Sequence, residues 1–147
     1  MTHSSPEQFL GFMLGTVYRG VSNQFARILK PYDITPEQWS VLFTIAGHEG
    51  INQKEVAAAV HKDQPTIARI IELLLKKKYV TKLTSTNDRR AFILYPTKEG
   101  KELIDCTVPL EQANEIAVLK GLQPEQVQML RDLLKKVQHN TENMHRE

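Results

Sequence analysis

Several features that would each have pointed to a particular chemistry are missing from this sequence. Its 147 residues include one cysteine, Cys106, which excludes an internal disulfide and leaves no C-x-x-C pair for zinc or redox cycling. That usage suits a reducing compartment, and a cytoplasmic protein is expected. No apolar run approaches the roughly 20 residues that a bilayer-spanning helix needs, so no membrane partner is expected. The first residues, Met1-Thr2-His3-Ser4-Ser5-Pro6, lack the basic-then-apolar layout of a signal peptide. There is no glycine-rich phosphate loop and no nucleophile elbow. The histidines His3, His48, His61, His139 and His145 are scattered, with no pair four apart. No metal, cofactor or enzymatic activity is therefore expected. With 41% apolar and 24% charged residues, what remains is one folded domain.

Net charge is nearly absent too, at +2 overall, but it is unevenly spread. Residues 1–50 carry 3 basic and 4 acidic side chains, residues 51–100 carry 10 and 5, and residues 101–147 carry 6 and 8. A basic middle between mildly acidic ends fits a polyanion footprint. It equally fits a solvated, lysine-rich helix face, and local structure has to decide.

Residues 7–29 read as a helix with Leu10, Leu14, Val17, Val21, Phe25 and Ile28 in one stripe, which Phe9, Phe12 and Met13 widen. A small domain can hardly cover so broad a face with its own chain, which points to a second subunit. Pro31 ends this helix. Thr35-Pro36 with Gln38 is a capping box opening the next, whose buried face is Trp39, Leu42, Phe43 and Ile45. Asn52-Gln53-Lys54-Glu55 opens a short helix through Val60. After the break His61-Lys62-Asp63-Gln64, Pro65 starts a helix to about Lys77, marked by Ile67, Ile70, Ile71, Leu74 and Leu75. Two short helices joined by a tight turn are a helix-turn-helix.

The period then changes to that of strands, Tyr79 to Thr84 and Ala91 to Tyr95, with Val80, Leu83, Phe92 and Leu94 as the apolar positions. Joined by the polar segment 85–90, they predict a β-hairpin, a wing on the helix-turn-helix. Pro96-Thr97 caps a long helix from Lys98, kinked at Pro109 and continuing to Gly121. A last helix from Pro124 carries Val127, Leu130, Leu133, Leu134 and Val137 on one face and frays over the polar tail from Gln138 to Glu147.

The major groove of B-DNA, about 12 Å wide, admits one helix, whose N-terminal residues meet base edges. Lys62, Gln64, Pro65, Thr66 and Arg69 are therefore the candidate contacts of the second short helix. Gln64 can pair with adenine through two hydrogen bonds, Thr66 can use its hydroxyl or its methyl, and Arg69 suits phosphate or guanine. On the wing, Asp88, Arg89 and Arg90 cluster at the tip. Asp88 and Arg90, two apart, share a face, so the acid can orient the guanidinium toward a narrow minor groove. Lys76, Lys77 and Lys78 read mainly as charges favourable at a helix C-terminus.

These segments together resemble the MarR family of bacterial winged-helix transcription regulators. The resemblance is carried by Ile34-Thr35-Pro36-Glu37-Gln38-Trp39-Ser40-Val41-Leu42, Pro65-Thr66-Ile67-Ala68-Arg69, Asn87-Asp88-Arg89-Arg90-Ala91, Leu94-Tyr95-Pro96-Thr97-Lys98-Glu99-Gly100 and Gly121-Leu122-Gln123-Pro124-Glu125. It implies a mainly α fold with a small β-hairpin wing in a single domain, 1–147. A winged helix-turn-helix lobe would span about 35–100, and dimerisation helices about 7–30 and 101–143. The implied function is a homodimeric repressor on a pseudopalindromic double-stranded DNA operator. Release by a small phenolic or lipophilic effector is implied as well, in a crevice that Tyr18, Arg19, Trp39, Phe43 and His48 would line. Cys106, far from the start of the chain where the peroxide-sensing branch carries its cysteine, is expected to be a small buried hydrophobe at the dimer core. The alternative is a winged-helix lobe that binds protein, without specific DNA binding.

Overall fold

Helix boundaries fall where the sequence places caps and prolines. In the computed structural model, which describes residues 5–86 and 91–146, a 3-10 turn Pro6–Gln8 leads into α1, Leu10–Leu29. Pro31 sits in a second 3-10 turn, Lys30–Tyr32, which ends that helix. α2, Pro36–Gly47, opens on the capping box: Gln38 N–H donates to Thr35 Oγ1 at 3.1 Å, and Thr35 N–H donates to Gln38 Oε1 at 3.4 Å. Asn52 caps α3, Gln53–Val60, by accepting from Glu55 N–H at 2.8 Å. α4 follows at Gln64–Lys76, α5 at Lys98–Val118 and α6 at Pro124–Met144.

Three short strands, β1 Ile51–Asn52, β2 Val80–Thr84 and β3 Phe92–Pro96, form an antiparallel sheet in the order β1-β3-β2. The predicted hairpin is β2–β3, with Lys82 opposite Leu94 and Thr84 opposite Phe92. β1 was not anticipated: two residues are too few to show a period, and only their pairing with Leu94 and Ile93 makes them a strand. The fold is mainly helical with this small sheet, the winged-helix class.

The chain divides into two compact units, Met1–Gln112 and Ala113–Glu147. The first holds the core of Leu29, Val41, Leu42, Ile45, Val56, Ile67, Leu74 and their neighbours. α5 meets the wing base at Gly100, where an added Cβ would lie 2.2 Å from the Tyr79 carbonyl oxygen. Thr97 fixes that approach, donating Oγ1–H to Lys78 O at 2.7 Å and accepting from Gly100 N–H at 3.0 Å.

Three expectations need correction. α6 does not fray from Gln138 but stays helical to Met144, because a polar tail without proline or glycine has nothing to break it. α5 runs through Pro109 but stops at Val118, short of Gly121. Phe43, expected on the buried face of α2, is 47% exposed, and the buried residues of that helix are Val41, Leu42 and Ile45. On the single chain Cys106 is exposed: Leu103, Ile104 and Thr107 set the buried face of α5, and Cys106 lies off that stripe, so its expected burial would have to come from a second subunit.

Candidate nucleic-acid interface

The turn between α3 and α4 is built by hydrogen bonds and not by glycine. His61 takes the left-handed conformation at φ 55°, its N–H donates to Ala58 O, and Lys62 N–H donates to Ala57 O at 3.1 Å. Together they close α3 in the manner of a Schellman motif. α4 then starts on Asp63, whose carboxylate accepts from Thr66 N–H at 3.0 Å and from Thr66 Oγ1–H at 2.7 Å. The Thr66 hydroxyl, then the Thr66 N–H, hold the Asp63 carboxyl below the ordinary range. Asp63-x-x-Thr66 with proline inside the first turn is a legible cap signature, and the sequence reading passed over it.

α4 is strongly two-sided. Ile67, Ile70, Ile71 and Leu74 are buried, while Gln64, Pro65 and Arg69 are exposed and Thr66 is half-buried. Four of the five residues expected to meet base edges thus lie on the first turn and a half of one helix. Lys62 stands apart, in the turn, with Nζ 3.7 Å from Glu37 Oε1 on α2.

Further along, Arg69, Glu72, Lys76 and Lys82 line an open trough between α4 and β2. Lys82, which the sequence reading did not single out, places Nζ 4.7 Å from the Phe92 ring centroid. Such a contact restrains a cation while leaving its charge accessible. The three consecutive lysines divide their roles. Lys76 joins the trough, Lys77 donates Nζ–H to Asp33 O and Gln38 Oε1, and Lys78 turns the chain at φ 63°. Asp88, Arg89 and Arg90 lie outside the described residues.

The five residues expected to line one crevice do not share one. Tyr18 and Trp39 line a cavity of about 300 Å³ with Val21, Ser22, Phe25 and Lys62. Phe43 stacks on Trp39 at 5.0 Å between ring centroids but faces a separate hollow beside Lys101 and Ile104. Arg19 donates to Thr16 Oγ1 at 3.3 Å, and His48 Nδ1 lies 3.1 Å from Thr44 O at the end of α2; neither lines either space. The Trp39 ring, which lines only the first, is held edge-on by Phe25 at 5.1 Å and by its Nε1–H donating to Thr107 Oγ1 at 2.7 Å. Among the described residues, no three His, Cys, Asp or Glu side chains gather as metal ligands, and no helix is long and apolar enough to cross a membrane.

The family model described as the MarR family matches residues 32–91. A candidate transcriptional regulatory protein for the hcr operon of Thauera aromatica is 30% identical over 114 residues, covering 77% of this chain and 67% of that protein. Among solved structures, a cysteine-to-serine mutant of MarR from E. coli complexed with operator DNA is similar at TM-score 0.82 and 28% identity. That match covers 87% of this chain and 92% of the other. A MarR-family regulator from Listeria monocytogenes complexed with a 26-mer DNA gives 0.84 and 25%, covering 90% and 88%. The fold is also that of a MarR protein from Peptoclostridium difficile, at 0.88 and 24%, covering 98% and 96%.

Proposed function

The chain belongs to the MarR family of transcriptional regulators, and on that premise we propose that it is a homodimeric repressor that reads a pseudopalindromic DNA operator with α4. One observation carries this reading. The first turn and a half of α4 presents exposed Gln64 and Arg69 and half-buried Thr66 on a helix that buries Ile67, Ile70, Ile71 and Leu74, so those side chains sit on a rigid support. Rigid placement matters because base-edge hydrogen bonds discriminate only when their geometry is held. Two of the similar structures are themselves DNA complexes, which supports the same role for this lobe. Asp88, Arg89 and Arg90 would enter the neighbouring minor groove, and Lys76 and Lys82 would meet phosphates.

The dimer reading rests on the apolar faces that the chain leaves open. Phe9, Phe12, Val17 and Tyr18 on or beside α1 are exposed, as are Met129, Leu130 and Leu133 on α6. Patches of that size mark interfaces in soluble proteins. Two-fold symmetry would set the two recognition helices roughly 34 Å apart, one DNA turn. A small phenolic or lipophilic effector would enter the cavity beside Tyr18 and Trp39, whose lining is mostly apolar with Lys62, Glu37 and Glu111 as its charged residues, and shift the population toward a form that does not fit the operator.

The competing reading, a lobe that binds protein, draws on the exposed Leu83 and Phe92 of the wing. Both are tested by footprinting on the neighbouring intergenic DNA across a salt series. An inverted repeat protected in a saturable, salt-sensitive way, with protection weakened by Arg69→Ala, is the expected result. Weak, uniform binding abolished by salt would leave the protein-binding reading in its place.

A further inference from the structure

Thr66 stands where the helix meets the groove, and a threonine can address a base in three ways: donating O–H, accepting at Oγ1, or packing its methyl. Its one hydroxyl hydrogen has a partner within the protein. Thr66 Oγ1 lies 2.7 Å from Asp63 Oδ1, and Thr66 N–H donates to the other carboxylate oxygen at 3.0 Å. An ionised carboxylate can only accept, so in this contact the threonine donates. Hydrogen bonds of this charged kind are roughly twice as strong as neutral ones. The hydroxyl bond holds the Thr66 side chain in one staggered rotamer, while the N–H bond holds the carboxylate in place. With Oγ1 turned back toward Asp63, the methyl group is fixed in another of the staggered positions, and the two cannot exchange without breaking the hydroxyl bond.

We propose that Thr66 reads the operator through its methyl group, with Oγ1 left only as an acceptor, because Asp63 holds its hydroxyl hydrogen. The inference rests on the DNA-binding reading above. Its preferred base is thymine, whose C5-methyl is the apolar feature of the major groove. The donors of adenine and cytosine are tolerated at Oγ1. The two acceptors of guanine gain nothing from this residue and fall to Arg69. Asp63, one residue before the helix, is thereby a positioning residue for specificity as well as a cap.

The test uses the full chain and a randomised double-stranded DNA library. Once a sequence is enriched, each thymine of a half-site is replaced in turn by uracil, which removes only the C5-methyl. At one thymine per half-site, uracil is expected to weaken binding about fourfold, the value of one apolar methyl contact. Thr66→Val, which keeps the methyl and loses the hydroxyl, is expected to keep that thymine-over-uracil preference. Thr66→Ser, which keeps the hydroxyl and loses the methyl, is expected to bind both forms equally. An enriched operator whose uracil forms all bind the unaltered protein as well as thymine does overturns the inference alone. So does a preference that Thr66→Ser keeps and Thr66→Val loses. The uracil scan on the unaltered chain decides even if a variant fails to fold. If no sequence is enriched at all, the DNA-binding reading falls and takes this inference with it.

Discussion

α4 and α6 each carry an apolar stripe of helical period, and only one of them is covered. In α4, Ile67, Ile70, Ile71 and Leu74 are all buried. In α6 no residue is buried, and Leu130, Leu133 and Leu134 are 40%, 50% and 39% exposed. α1 shows both conditions along one helix, from exposed Leu10 and Met13 at its start to buried Phe25 and Leu29 at its end. Period shows that a helix has a face; it does not show what covers the face. Where this chain supplies the cover, a rigid lobe results. Where it does not, the open apolar surface is what the proposed dimer would close.

The comparison breaks first at Leu74 and Leu133. Leu74→Ala leaves a void at a fully buried site and is expected to cost about 2–5 kcal/mol. Urea denaturation should show the loss at any protein concentration. Leu133→Glu is expected to leave the lobe's fold intact while raising the dimer dissociation constant at least ~100-fold, since two charges would enter an apolar interface. Sedimentation against concentration reads this directly. A dimer unaffected by Leu133→Glu would mean that α6 is not where the chains meet.

A third substitution sharpens the covered side by setting two rules against each other. On helix propensity alone, Gly100→Ala should stabilise α5 by about 1 kcal/mol. But the new Cβ would lie 2.2 Å from backbone, the Tyr79 carbonyl oxygen, where no side chain can swing away. Close packing should win, with a net loss of about 1–3 kcal/mol in thermal or chemical denaturation. A gain would mean that the contact between α5 and the wing base yields more easily than the core around it.

The same distinction explains what the sequence made legible. Thr35, Asn52 and Pro31 act through their immediate neighbours, so α1 to α3 could be bounded closely from residues alone. β1 could not, because Ile51 and Asn52 are a strand only through Leu94 and Ile93, some forty residues on. The placement of Gln64, Thr66 and Arg69 was readable because they share one helix with an unmistakable buried side. Which residues would line one cavity was not, because that depends on how separate helices pack. Tyr18 lines one cavity and Phe43 another. Lys77 ends α4 as its position suggests, but its side-chain partners, Asp33 and Gln38, could not be read, because they come from a turn and a helix far back in the chain.

The smallest predicted effect tests whether coverage also accounts for backbone strain. Among the described residues, three that are not glycine take left-handed conformations, Asp33, His61 and Lys78, and all belong to the unit that holds the core. Between α5 and α6 the corresponding position is a glycine, Gly121 at φ 90°. A side chain in that conformation costs roughly 1 kcal/mol or more, and it persists only where surrounding contacts over-determine the backbone. At Lys78 those contacts are its own N–H to Leu75 O at 3.0 Å, Tyr79 N–H to Leu74 O at 3.0 Å, and its carbonyl accepting from Thr97. Lys78→Gly keeps all three, since each is a backbone bond on the Lys78 side, and removes the Cβ that the conformation disfavours. Gly also gains freedom in the unfolded chain, which offsets part of the relief. The net expectation is a stabilisation of about 0.5 kcal/mol, read as a small rise in the denaturation midpoint at constant slope. Lys78→Ala is the control, keeping the Cβ while losing the charge, and should not rise. If Lys78→Ala rose as much as Lys78→Gly, the relief would come from removing one of three adjacent positive charges, and the covered lobe would be carrying no backbone strain at that turn.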